Sequence, residues 1–191
     1  MNKILVLAGP SAVGKTTVMK EIISSSDSFE YIRSATTRAP RGDGYDTEYI
    51  YLSESEFRER ISCGEMLEHT EFGGNLYGTP NSEIERIFGI GKIPLLILDI
   101  NGVAALKSKS CDFQTVAIYI TADIDILDRR LDERAILSGN TDKAREILEN
   151  RKSRNRRELE NIDEHKKLFD AVVKNITVAE TAKEILRIFR G

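Results

Sequence analysis

The stretch Gly9-Pro-Ser-Ala-Val-Gly-Lys-Thr-Thr17 decides how the rest of the chain is read. Before it, Ile4-Leu-Val-Leu-Ala8 is a short unbroken apolar run, the pattern of a strand buried on both faces. After it, Val18, Met19, Ile22 and Ile23 recur at helical spacing, so Thr16 to Ile23 reads as a helix. The quoted residues are therefore a strand-to-helix turn with the pattern G-x-x-x-x-G-K-[ST], carried by Gly9, Gly14, Lys15 and Thr16. Glycines let the backbone wrap so that successive N–H groups point at one anion, and the helix adds the positive end of its dipole. Lys15 reaches outer phosphates and the Thr16 hydroxyl suits Mg²⁺. Ser11, Ala12, Val13 and Thr17 complete the cradle. The competing reading is an ordinary glycine turn capping a helix, and its place between strand and helix disfavours that.

The chain has 191 residues, enough for one domain with a substantial core. A hydrophobic share of 40% and a charged share of 31% are those of a soluble globular protein. The net charge of −3 gives no bulk attraction to nucleic acid or an anionic membrane, so anionic ligands need local basic clusters. Cys63 and Cys111 make neither a metal-ligand spacing nor a disulfide framework, and read as reduced thiols of a cytoplasmic protein. No stretch approaches a membrane span or a signal-peptide core.

Further buried strands are expected at Pro94–Ile100, Thr115–Ile120 and Ala171–Val173, and helices at Ile124–Arg134, roughly Asp142–Ile162 and through Ala179–Phe189. Such alternation predicts an α/β fold with a parallel sheet covered by helices on both faces. Residues 31–88 break the rhythm with clustered glycines and five of the six tyrosines. There Tyr49–Tyr51 and Met66–Phe72 read as short strands flanking a helix from Ser53 to Cys63, opened by a Ser53/Glu56 capping box. A mixed inserted subdomain is expected. Ala135 to Lys167, polar and basic, reads as a mobile helical flap.

Arg38 and Arg41 flank Pro40, with Ser34 before and Tyr49 after, and guanidinium forks fit phosphate oxygens. From spacing alone, two solvated loop arginines are an equal alternative. In Glu65-Met-Leu-Glu-His-Thr-Glu-Phe-Gly-Gly-Asn-Leu-Tyr-Gly-Thr-Pro80, the strand residue Glu68 precedes Tyr77 and Thr79 across a glycine turn. A carboxylate there would accept from guanine N1–H and its 2-amino group, while a hydroxyl donates to O6. Adenine presents the opposite pattern.

On these motifs, with "LLILDINGV", "RRLDERA" and "LFDAVVKN", the sequence resembles the guanylate kinases, essentially end to end. The resemblance implies a phosphate-loop kinase fold: a core of 1–33, 89–134 and 165–191, a nucleotide-monophosphate segment 34–88 and a lid 135–164. It implies transfer of a phosphoryl group from ATP to GMP (and dGMP), with Mg²⁺ as cofactor. Ser34, Arg38, Arg41, Tyr49 and Tyr77 would hold the GMP phosphate, and Glu68 and Thr79 would read guanine. Asp99 and Asn101 adjoin the acceptor, and Asp99 would hold Mg²⁺ through water beside Thr16. Arg134 and Arg151 are the lid arginines; with Lys15 and Arg41 they form the catalytic cations. Asn175 would lie by the adenine of ATP. The implied partners are small molecules, in a monomer or weak homodimer, with no nucleic acid and no membrane.

Two features depart from the family pattern. Its D-x-D is here Asp99 followed by Asn101, in a turn about two residues shorter. The lid helix is also unusually basic, with Arg151, Lys152, Arg154, Arg156 and Arg157 within seven residues; all but Arg151 read as a solvated face. Three rivals have less support. A GTPase would use Asp99 to Gly102 as D-x-x-G but lacks an N-K-x-D-like segment. A non-catalytic binding module would not keep Gly14, Lys15 and Thr16. A kinase of another phosphorylated acceptor, such as a ribose bisphosphate, would not need Glu68, Tyr77 and Thr79.

Overall fold

The computed structural model describes residues 2–40, 49–137 and 142–191. In chain order, β1 (Asn2–Ala8) leads through the loop into α1 (Lys15–Ser25). Then come β2 (Phe29–Tyr31), β3 (Ser34–Thr36), β4 (Tyr49–Tyr51), α2 (Glu54–Ser62), β5 (Met66–Phe72), β6 (Asn75–Pro80) and α3 (Asn81–Gly89). The remainder is β7 (Ile93–Ile97), α4 (Ile100–Lys107), β8 (Phe113–Thr121), α5 (Ile124–Leu137), α6 (Asp142–Glu160), α7 (Ile162–His165), β9 (Ala171–Lys174) and α8 (Val178–Arg190). One five-stranded sheet has the order β2-β7-β1-β8-β9, and its β2/β7 and β8/β9 pairs are parallel. A four-stranded sheet has the order β4-β3-β6-β5. The chain divides into two compact units, residues 1–6 with 23–115, and residues 7–22 with 116–191.

The α/β class stands as expected, and β1 is buried from Ile4 onward. One strand expectation is corrected. The apolar run from Pro94 does not continue as a strand to Ile100: β7 stops at Ile97, and Asp99 caps α4, its Oδ1 accepting the Gly102 N–H at 2.8 Å. A short apolar run does not distinguish a strand from the buried start of a helix, and a capping aspartate decides it.

In the first unit, the four-stranded sheet has two chemically distinct faces. Ala35, Phe57, Met66 and Leu76 form a buried cluster with Ile50, Leu52 and Ile61, placing α2 on one face. The helix starts as its sequence predicts: the Ser53 hydroxyl accepts the Glu56 N–H, and the Glu56 carboxylate accepts the Ser53 N–H. Gly78 lies beneath this helix, where an added Cβ would come within 3.0 Å of the Phe57 ring. Side chains alternate across a sheet, so the partners of Ser34 and Thr36 occupy the other face. The register pairs Ser34 with Tyr49, Thr36 with Tyr51 and Tyr77, and Thr79 with Glu68.

Glu68 reaches that face through a bulge. Between the pairs Met66↔Pro80 and Glu68↔Thr79 the strand β5 carries one residue more than β6. Met66 therefore faces α2 while Glu68, two residues later, faces the opposite way. Elsewhere in this unit Glu83 ties α3 to Arg33 and also pairs with Arg86 of its own helix; burial opposes its charge, but the two guanidinium groups outweigh it and bring the carboxyl down to about 2.

In the second unit, α6 is fastened along its later half. Lys152 meets Asp132 and Arg156 meets Asp128 on α5, at 2.7 and 2.6 Å. The Tyr119 hydroxyl on β8 donates to Glu158 at 2.9 Å. A flap spanning all of 135–164 thus meets a finer picture, in which residues 152–158 are bonded to their surroundings. The basic run is likewise not merely a solvated face, since Lys152 is only 14% exposed. Cys63 and Cys111 are both free thiols. Among the described residues no helix is long and apolar enough to cross a membrane.

Candidate active site

The loop Gly9–Thr17 belongs to the second unit and is built as a cradle. Gly9 has φ 142°, and a Cβ there would fall 2.1 Å from the carbonyl oxygen of Ile120, so only glycine fits. Ala12 has φ 64°, the single non-glycine residue with positive φ among those described. Three side chains hold the loop from outside. Asn155 bonds Ser11; Arg130 donates to the Ala12 and Val13 carbonyls at 3.3 and 3.2 Å; Asn175 donates to Val13 at 2.6 Å. With these carbonyls turned outward, the amides from Gly14 onward stand at the start of α1, the arrangement that receives a phosphate. Lys15 folds over the loop, its ammonium donating to the Gly9 and Pro10 carbonyls at 2.6 and 3.0 Å. Thr16 and Thr17 lie in the first turn of α1.

Beside the loop lies a cavity of about 330 Å³ lined by Thr17, Arg130, Glu133, Asn175 and Val178, among others. Asn175 is 3% exposed and both ends of its amide are engaged, with Val13 and with the Thr181 hydroxyl. It lines the cavity as part of the loop's framework. Arg151 is half-buried on α6.

The first unit holds a second, separate constellation. On the polar face of the small sheet, the Thr79 hydroxyl donates to Glu68 Oε1 at 2.7 Å, while Glu68 Oε2 is buried with no hydrogen-bond partner among the described residues. Burial, reinforced by the charge of Asp99 and opposed by the Thr79 hydrogen bond, pushes the carboxyl up to about 7. Oε2 looks toward α4, where a Cβ on Gly102 would lie 3.3 Å away. Thr79 spends its proton on Glu68 in this arrangement, so it orients the carboxylate rather than presenting a donor to a base. Arg38 stands over the Tyr49 ring at 5.2 Å and donates to the Tyr51 hydroxyl at 3.4 Å. Ser34 and Tyr49 are cross-strand neighbours, and Tyr77 sits opposite Thr36. Asp99 caps α4, and Asn101 is exposed in its first turn. Arg41 falls in 41–48, outside the described residues, as does the Arg134 side chain.

Three contributors escape a reading of the sequence. Tyr51 has a signal, since it alternates with Tyr49 and so shares its face. Arg130 has a weaker one, four residues before Arg134 on the same face of α5. Asn155 has none, lying among arginines in a run that reads as solvated.

A phosphate loop in one unit and a face carrying an arginine, tyrosines and a buried carboxylate in the other define a nucleoside monophosphate kinase of the phosphate-loop class. The family model for guanylate kinase matches residues 1–191. The chain is 33% identical to the guanylate kinase of Prochlorococcus marinus subsp. pastoris, covering all of this chain and 98% of that protein. It is 36% identical to that of Streptococcus thermophilus, covering 98% and 86%. The crystal structure of guanylate kinase from Anaplasma phagocytophilum superposes with a TM-score of 0.72 at 27% identity, over 99% of this chain and 85% of that one. The chain belongs to the guanylate kinase family.

Proposed function

We propose that this chain transfers the γ-phosphoryl group of ATP to GMP, giving ADP and GDP, as a small-molecule enzyme of the cytoplasm. The observation that carries the choice of acceptor is the buried oxygen of Glu68, which has no hydrogen-bond partner among the described residues. A buried acceptor without a donor is costly, and guanine brings two adjacent donors, N1–H and the 2-amino group. Adenine brings an acceptor at N1 and no 2-amino group, which leaves Oε2 unsatisfied.

Phosphoryl transfer asks little covalent chemistry of the protein and much alignment and charge neutralisation. Ser34, Arg38, Tyr49, Tyr77 and Arg41 hold the acceptor's phosphate; Lys15 leaves the Gly9 and Pro10 carbonyls for the outer phosphates of ATP. Arg134 and Arg151 close over the transferring group, and the segment 135–164 excludes water so that GMP is the nucleophile. Mg²⁺ takes hard oxygen donors and is held by one or two side chains plus substrate phosphates rather than by a protein cage. The donors proposed for it, the Thr16 hydroxyl and the Asp99 carboxylate, are each of that chemical kind. When bound, Mg²⁺ neutralises charge on the phosphate oxygens.

A coupled assay with ATP, Mg²⁺ and a panel of GMP, dGMP, AMP, CMP and UMP tests the proposal. Turnover with GMP (and dGMP) but not the others is expected. ATP hydrolysis unstimulated by GMP, or turnover with a different acceptor, would overturn it.

A further inference from the structure

Asn155 is 1% exposed, although Arg154 and Arg156 flank it. Its Oδ1 accepts the Ser11 N–H at 2.8 Å and its Nδ2 donates to the Ser11 carbonyl at 3.0 Å. One amide side chain thus satisfies both backbone groups of one loop residue, 144 positions away in the chain. Ser11 immediately precedes Ala12, whose left-handed backbone alanine disfavours. A conformation of that sort persists only where its surroundings over-determine it. Asn155 supplies that constraint from the Ser11 side, and Arg130 and Asn175 from the Val13 side. Asn155 is itself held in place: Lys152 and Arg156, on either side of it along α6, are bonded to Asp132 and Asp128 of α5.

We infer that Asn155 is a positioning residue of the ATP half of the site: it fixes the shape of the phosphate loop from behind, through Ser11. The inference rests on the kinase reading only for its effect on turnover; its effect on ATP binding stands alone. It also gives Lys152 and Arg156 a task, since they keep α6 where its amide meets the loop.

Two variants test this, Asn155→Ala, which removes both hydrogen bonds, and the isosteric Asn155→Asp, which keeps the acceptor, loses the donor and adds an anion behind the loop. Each is titrated calorimetrically with Mg²⁺–ATP and, separately, with GMP, well below its melting transition. With two hydrogen bonds at stake, ATP affinity is expected to fall about ten- to thirtyfold in the alanine variant, and at least as far in the aspartate variant. GMP affinity should stay within about twofold, because the hydrogen bonds of Asn155 among the described residues go to Ser11 and to none of the residues assigned to GMP. A purely structural role predicts a lower melting temperature with an unchanged ratio of ATP to GMP affinity, and that result would overturn the inference. So would a folded variant that binds ATP like the wild type. If the alanine variant fails to fold, the aspartate variant decides. Wild-type protein that binds ATP yet never phosphorylates GMP would instead count against the proposed function, leaving the ATP titrations to judge Asn155.

Discussion

Burial pushes the Glu68 carboxyl from an ordinary 4.5 up to about 7, with the charge of Asp99 adding to it and the Thr79 hydrogen bond working against it. Between those two values the folded chain holds a proton that the unfolded chain has released. This group's contribution to stability is therefore fully present below 4.5 and lost as pH rises through 7. Guanine donors favour the carboxylate, so GMP binding should expel the proton. Titrations with GMP at pH 6.5, in buffers of different ionisation enthalpy, should show wild type releasing more protons than Glu68→Gln, by up to about one. The phosphate titrates alike in both and cancels. The same variant presents one acceptor and one donor to two donors, and GMP kcat/KM should drop about ten- to hundredfold. Unchanged kinetics would remove Glu68 from the base site. Asn101 is exposed in the first turn of α4, where an aspartate would add charge without being required as a base. Asn101→Asp should therefore change GMP kcat/KM by no more than about tenfold to thirtyfold. A wild-type protein that binds both nucleotides and turns over only after this change would refute that view.

Among the elements, those with a strong local signal are legible in the sequence. The buried run of β1, the glycine pattern after it and the Ser53/Glu56 box of α2 each rest on chemistry contained within a few residues. β2, β3 and β4 are three residues each. Only the last was anticipated, because a piece so short has too little sequence to show a period. α4 was hidden inside an apolar run, and α3 opens on Pro80 with no side-chain cap to announce it. At the site, Glu68 and Thr79 were legible as a pair, whereas Asn155 was not: what it meets is 144 residues distant. The α5–α6 junction carries its own prediction. Lys152 and Asp132 are 2.7 Å apart, and the Asp132 hydrogen bond, opposed by burial, raises the lysine's affinity for its proton. Asp132 is half exposed, so the pair should contribute only about 0.5–1 kcal/mol. A double-mutant cycle with Asp132→Asn and Lys152→Met, followed by urea unfolding, should yield that coupling, shrinking in high salt. A coupling of zero would make the junction ornamental.

At the scale of the whole chain, the residues assigned to the two substrates fall into different compact units: the loop with Arg130, Asn155 and Asn175 in one, Glu68, Thr79, Arg38 and the tyrosines in the other. Damage to one set should then leave binding by the other intact. Lys15→Ala should abolish turnover, since Lys15 answers the charge of the outer phosphates, while a GMP titration stays within about twofold of wild type. A folded Lys15→Ala protein that no longer binds GMP would show the division of labour to be wrong.

The extra residue in β5 has a consequence for how this strand tolerates change. Along a regular strand, even and odd positions are fixed to opposite sides; here the parity is reset once, between Met66 and Glu68. Substitution leaves parity untouched, so a scan that replaces each residue in turn would never expose it. Inserting a residue between Leu67 and Glu68 would: with Glu68 unaltered in name, its carboxylate would be turned toward α2, away from Gly102. What this strand encodes is a count as much as a list of side chains.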